Sequence, residues 1–143
     1  LLPAFEAQHG NDPAIQPLPV SVGAATGTID YFDSGGDSIT TTVETETRRW
    51  EEAYNTQFKK IARDMVAVEE MLRRSRCKSF DFVNVDTKGK VLEIVEQLDA
   101  RGLGVKLMCN ERNGRDRARY DAYLARRGMR TLMSNGENMI YCV

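Results

Sequence analysis

Histidine occurs once in these 143 residues, at position 9. A Ser-His-Asp triad, a histidine general base or a histidine-rich metal site would all have to use that one side chain, so none of these chemistries is expected. Cysteine is scarce and scattered. Cys77, Cys109 and Cys142 are odd in number, and no two have metal-ligand or redox-motif spacing, which reads as reduced thiols in a reducing compartment. Proline is absent after Pro19, since all four prolines (Pro3, Pro13, Pro17 and Pro19) fall near the start. No apolar run approaches the roughly 20 residues that cross a bilayer. The opening Leu1-Leu2-Pro3-Ala4-Phe5 has no basic n-region, so no secretory signal is expected. The expected setting is the cytoplasm or an intracellular assembly, away from membranes.

Positive charge is also missing from one part of the chain. Residues 1–47 hold no Lys or Arg and seven acids (Glu6, Asp12, Asp30, Asp33, Asp37, Glu44 and Glu46), a net −7. Residues 48–143 hold all 20 basic residues and the other 14 acids, a net +6, and the overall −1 conceals the split. A basic body behind an acidic segment predicts a surface that faces a polyanion, and an arm that competes for it.

The length predicts one ordinary core. Residues 1–41 read as an acidic arm rich in Pro, Gly and Ser, with one short strand around Thr28–Phe32. Residues 42–143 read as a single α/β domain. Within it, 42–77 predicts a long amphipathic helix. Thr41 and Glu44 have capping-box spacing, and Arg73, Arg74 and Arg76 lie where a helix C-terminus favours cations. Trp50, Tyr54, Phe58, Ile61, Met65, Val68 and Leu72 recur at steps of three and four, which is one helical face. At ~1.5 Å per residue such a helix runs roughly 50 Å, longer than a domain of this size covers. Its face is therefore expected to meet a second copy, with Trp50, Tyr54, Phe58, Ile61 and Met65 in a homodimer interface.

Residues 78–143 predict a β-α-β-α-β-β unit, with strands at Ser79–Val85, Gly104–Cys109, Arg130–Met133 and Asn138–Val143. Helices are expected at Lys88–Arg101, capped by Gly102, and at Arg115–Arg127, capped by Gly128. Asn135-Gly136 predicts a hairpin. Leu98-x-x-Arg101-Gly102-Leu103 and Leu124-x-x-Arg127-Gly128-Met129, each leading into a strand that ends in Asn, form a weak internal repeat. Two successive αβ units predict a mainly parallel sheet closed by an antiparallel edge hairpin.

Two places could carry chemistry. Ligands of open parallel sheets bind at strand carboxyl ends, and there the chain offers Asp86, Lys88, Lys90, Asn110 and Glu111 as a possible phosphate-ligand set. Neither a G-x-x-x-x-G-K-[ST] loop nor a G-x-G-x-x-G between strand and helix accompanies them. Asn84-x-Asp86-Thr87 resembles in outline a haloacid-dehalogenase-type phosphatase site, but Asn84 stands where that family carries its nucleophilic Asp. The second place is an arginine cluster with interleaved tyrosine: Arg112, Arg115, Arg117, Arg119, Tyr123, Arg126, Arg127 and Arg130. A smaller one is Arg73, Arg74, Arg76 and Lys78. Arginine with aromatics holds phosphates and stacks on bases, and the chain has 14 Arg to 6 Lys.

The expected function is therefore a non-enzymatic assembly or accessory protein, of the kind viruses and phages use. It would bind RNA or single strands as a homodimer, with a protein partner possible through the acidic arm. No catalytic residue, metal or cofactor is expected. A purely structural protein–protein module is the alternative. A small phosphate-ligand or magnesium-dependent hydrolase at the strand ends is the second alternative.

Overall fold

A computed structural model describes residues 2–35, 40–87, 90–111 and 117–143. It divides into two compact units, Leu1–Arg76 and Cys77–Val143. Both are α/β, each built on its own sheet.

The first unit runs α1 (Leu2–His9), β1 (Ser21–Gly23), β2 (Gly27–Asp33), α2 (Glu44–Tyr54), β3 (Lys59–Ala67) and α3 (Val68–Arg74). Its mixed sheet has the order β1-β3-β2. β3 pairs parallel with β1 (Ser21 opposite Met65) and antiparallel with β2 over seven residues, from Gly27 opposite Met65 to Asp33 opposite Lys59. The long helix expected over 42–77 does not form. The chain there is a helix, a strand and a second helix. Asn55 stops α2 by taking the left-handed conformation (φ 49°, ψ 41°), which asparagine accepts at a helix end more readily than most residues. The stretch after it then finds a partner that local periodicity cannot show, the acidic strand β2. Lys59, Lys60 and Arg63 of β3 lie opposite Asp33, Phe32 and Ile29, and Lys60 Nζ pairs with Asp30 Oδ2 at 2.8 Å. The charge split in the sequence is used here inside one sheet.

The start of α2 also differs from expectation. Val43 is its N-cap residue and no side chain caps it. The Thr41 hydroxyl instead accepts the Val43 N–H at 3.1 Å, while Thr41 forms an isolated bridge with Phe32. Among the described residues the buried part of this unit is small: Gly23, Phe32, Val66 and Val68, with Thr41 and Thr47.

The second unit runs β4 (Phe82–Val85), α4 (Val91–Val95), β5 (Leu107–Glu111), α5 (Arg117–Arg126), β6 (Arg130–Ser134) and β7 (Asn138–Cys142). Its sheet has the order β4-β5-β7-β6. The expected mainly parallel sheet is also corrected. Only β4 and β5 are parallel, whereas β5–β7 and β7–β6 are antiparallel. β7 enters the middle and leaves β6 at the edge. Side-chain character explains the exchange. Met139 and Tyr141 of β7 are buried, whereas every residue of β6 is exposed and its register shifts between Thr131 and Met133. An exposed, irregular strand is found at the edge. The hairpin between them turns on Asn135, whose side-chain oxygen accepts the N–H groups of Glu137 (2.9 Å) and Asn138 (2.6 Å).

The registers sort side chains onto two faces. Val83–Met108–Tyr141 and Val85–Asn110–Met139 line one face. The helices supply their own apolar positions to this core, Val91, Leu92, Ile94 and Val95 from α4 and Tyr120 and Leu124 from α5. Phe82–Leu107–Cys142 and Asn84–Cys109–Ile140 line the other face. α5 ends in a Schellman-type turn: Met129 N–H donates to Leu124 O at 3.0 Å across Gly128, whose φ is 81°. The earlier turn has the same form twenty-four positions before, with Val105 N–H to Ala100 O at 2.8 Å across Gly104, φ 72°. Gly104, and not Gly102, is therefore the glycine equivalent to Gly128. The two turns share their form at an offset of 24, so the Leu-x-x-Arg-Gly repeat, whose offset is 26, does not mark equivalent positions.

Candidate functional site

α5 buries Tyr120 and Leu124 and exposes Arg117, Arg119 and Arg126, with Arg127 and Arg130 exposed just after it. The helical period separates the two sets. Arg117 Nε donates to Asp121 Oδ2 at 3.4 Å, one turn along. Arg119 reaches further. Its Nη2 donates to both oxygens of Glu96, at 3.0 and 3.3 Å. The Tyr123 hydroxyl donates to the main-chain oxygen of the same Glu96 at 2.8 Å. Arg127 places its guanidinium 5.1 Å from the centre of the Tyr123 ring and lies 3.8 Å from Asp99 Oδ1. Arg126 Nε donates to Ala122 O at 3.0 Å, along its own helix. Arg119, Tyr123 and Arg127, which share a face in the sequence, are thus brought together. Glu96 and Asp99 complete the cluster, and sequence reasoning missed both. They lie more than twenty residues away on a turn, and no local pattern links them to α5.

Arg112 and Arg115 lie outside the described residues, as does Lys88. Arg130 opens β6 opposite Cys142. Lys78 is exposed near the start of this unit.

In the first unit, Arg73 and Arg74 close on one carboxylate. Arg73 donates from Nε and Nη2 to Glu70, both at 2.7 Å, and Arg74 Nε donates at 2.6 Å. These hydrogen bonds, Arg73 first and then Arg74, hold the Glu70 carboxyl down to about 2. Arg76 anchors the chain ahead of β1, donating from Nη2 to Ile15 O at 3.0 Å and from its N–H to Gln16 Oε1 at 2.7 Å.

The expected dimer face is dispersed. Trp50 and Tyr54 remain together on α2, with ring centres 5.4 Å apart and the Arg49 guanidinium 4.8 Å over Trp50. Tyr54 is 64% exposed. Phe58 lies in the turn that follows, and Ile61 and Met65 lie on β3. A helical stripe through all five does not exist, because α2 ends at Tyr54.

At the strand carboxyl ends, Lys90 Nζ pairs with Glu93 at 2.7 Å and Asp86 is exposed. Asn110 and Glu111 are consecutive on β5 and so face opposite sides of the sheet. Asn110 is 0% exposed on the helix-covered face, and neither its amide oxygen nor its amide nitrogen makes a hydrogen bond. The Thr87 hydroxyl is likewise buried without a hydrogen bond.

His9 lies on α1 with its ring 4.9 Å from that of Phe5. Among the described residues no three His, Cys, Asp or Glu side chains cluster as a metal set, and no helix is long and apolar enough to cross a membrane. No protein-family model, no curated protein and no solved structure matches this chain.

Proposed function

We propose that the Cys77–Val143 unit binds single-stranded nucleic acid, RNA or DNA, through the exposed side of α5 and the residues that follow it. The observation that carries this reading is the one-sidedness of α5: five arginines between 117 and 130 are exposed, while Tyr120 and Leu124 are buried. The unit as a whole holds twelve Lys and Arg against nine Asp and Glu, a net +3.

Acids accompany the arginines, so the strength of the ion pairs matters. The three pairs at Arg117, Arg119 and Arg127 all involve solvent-accessible side chains. Exposed pairs of this kind contribute about 0–1 kcal/mol each. A phosphate offers the same guanidinium a bidentate, charge-assisted partner at little cost in displaced carboxylate. Tyr123, positioned by its hydroxyl bond and beside Arg127, supplies an aromatic group for a neighbouring base.

The test is fluorescence anisotropy of a labelled single-stranded oligonucleotide across a salt series. Each phosphate contact contributes about −0.7 to the slope of log affinity against log salt, so three to five engaged arginines give roughly −2 to −3.5. Arg119→Glu combined with Arg126→Glu should abolish binding while circular dichroism stays unchanged. Absence of binding at low salt would remove the reading.

A further inference from the structure

The sheet of the second unit has one face beneath its helices and one that they leave open. Two of the three thiols lie on the open face. In the β5–β7 register Leu107 is opposite Cys142, and Cys109 is opposite Ile140. Cys109 and Cys142 are therefore on the same face of neighbouring antiparallel strands, displaced by two residues along the strand. Both are reduced and half-buried, while the third thiol, Cys77, is exposed and lies before the first strand of this sheet.

That diagonal has a definite span. Such neighbours lie about 7–8 Å apart between Cα atoms. A disulfide accepts about 4.4–6.8 Å and joins its sulfurs at ~2.05 Å. Met108 and Asn110, on either side of Cys109, are fully buried on the opposite face, so β5 cannot shift towards β7 without disturbing the core. A metal ion between the sulfurs relaxes the requirement. With each metal–sulfur bond at ~2.3 Å, the two sulfurs sit roughly 4 Å apart or more. The diagonal suits a sulfur–metal–sulfur bridge better than a sulfur–sulfur bond.

The sulfur donors select the ion. Across the β5–β7 pair the two thiols have Leu107 and Ile140 opposite them, on their outer sides Asn84 lies opposite Cys109 and Arg130 opposite Cys142, and the next side chain in the Cys109–Ile140 row is Met133, whose thioether is also soft. No carboxylate lies in these two rows; their oxygen donor is the neutral Asn84 amide, and the Arg130 guanidinium offsets negative charge. Structural zinc closes four positions with N, S or O ligands, and two thiolates leave that shell half empty. Thiolate and thioether ligands favour Cu(I), which is satisfied by a low coordination number.

We propose that Cys109 and Cys142 form a two-thiolate site for a soft monovalent metal ion of the Cu(I) class. Binding displaces one proton from each thiol and leaves the bridged pair with a net charge of −1, with no change of oxidation state. The site uses no residue of α5, although Arg130 of the proposed nucleic-acid surface lies opposite Cys142.

The experiment is an anaerobic titration of the reduced full chain with Cu(I) against a chromophoric Cu(I) chelator. One equivalent withheld per chain is expected, lost in Cys109→Ser and in Cys142→Ser and retained in Cys77→Ser. In the unaltered protein, Cu(I) should protect Cys109 and Cys142 from alkylation, read by peptide mass, and leave Cys77 reactive. This second readout decides the matter if a serine variant fails to fold. The proposal is overturned if the serine variants hold the ion as the parent does, or if Cys77 is the protected thiol. It is also overturned by half an equivalent bound with doubled mass, or by quantitative conversion of Cys109 and Cys142 to a disulfide under mild oxidant.

Discussion

Tyr141, at the centre of the second sheet, donates its hydroxyl hydrogen bond to Asp121 Oδ1 on α5 at 3.1 Å. The same oxygen accepts from Thr131 on the edge strand at 3.1 Å, and the other faces Arg117 at 3.4 Å. One carboxylate thus ties the arginine-bearing helix to two strands. Tyr141→Phe keeps the buried ring and removes only the donor. A hydrogen bond to a charged group contributes about 1.5–3 kcal/mol. The variant should unfold several degrees lower in a thermal melt, with the nucleic-acid affinity proposed for α5 changed little, because Thr131 and Arg117 still hold Asp121. An unchanged melting temperature would show that this bond does not position α5.

Asn110 occupies a core position between Val85 and Met139 with neither end of its amide bonded. Burying a polar group without a partner costs about 1–3 kcal/mol. Asn110→Leu replaces it with an apolar side chain of similar size and should raise stability by roughly that amount. For a domain of 60–100 residues, each kcal/mol moves the melting temperature by about 4–8 °C. A loss of stability would mean that the amide has a role that leucine cannot take.

Gly128 and Asn135 carry their structural meaning locally, through a left-handed cap and a turn, and each is legible in the sequence. Ile61 and Met65 are not. A step of four residues places side chains on one face of a helix and also on one face of a strand. The two steps of three that favoured a helix, Phe58 to Ile61 and Met65 to Val68, fall where elements begin and end. What decides between the readings is β2, some thirty residues earlier, whose acids meet the lysines of β3. The site divides in the same way. Arg119 and Tyr123 share a helical face by spacing alone, whereas Glu96 reaches them only through the fold.

Glu70 makes the acid response of the first unit specific. Its carboxyl sits near 2, against an ordinary 4.5, because Arg73 and then Arg74 hydrogen-bond its charged form. A lowered folded value means that the carboxylate's contribution to stability is fully present above pH 4.5 and is lost as the pH falls through about 2. In a carbon-detected NMR titration, Glu70 should titrate well below the ordinary glutamate value of 4.5. Arg73→Ala should move it up more than Arg74→Ala does. A midpoint at the ordinary glutamate value in the parent protein would remove the three-residue cluster.

Asn55 marks the point where a long helix gives way to the observed fold. Its left-handed conformation (φ 49°) is the stop that separates α2 from β3. Glycine adopts that conformation without penalty, whereas alanine pays about 1–2 kcal/mol for it and is the best residue for continuing a helix. The two substitutions should therefore act in opposite directions. Asn55→Gly should leave far-ultraviolet circular dichroism unchanged and hold or slightly raise stability. Asn55→Ala should lower stability. Because the apolar spacing beyond residue 55 is compatible with helix, it should also raise helical signal at the expense of strand. Hydrogen exchange gives the local readout. Amides of β3 paired with β2, such as those of Ile61 and Arg63, should lose protection in the alanine variant and keep it in the glycine variant. Equal protection in both would mean that the β2–β3 pairing, and not the turn at Asn55, is what keeps the helix short.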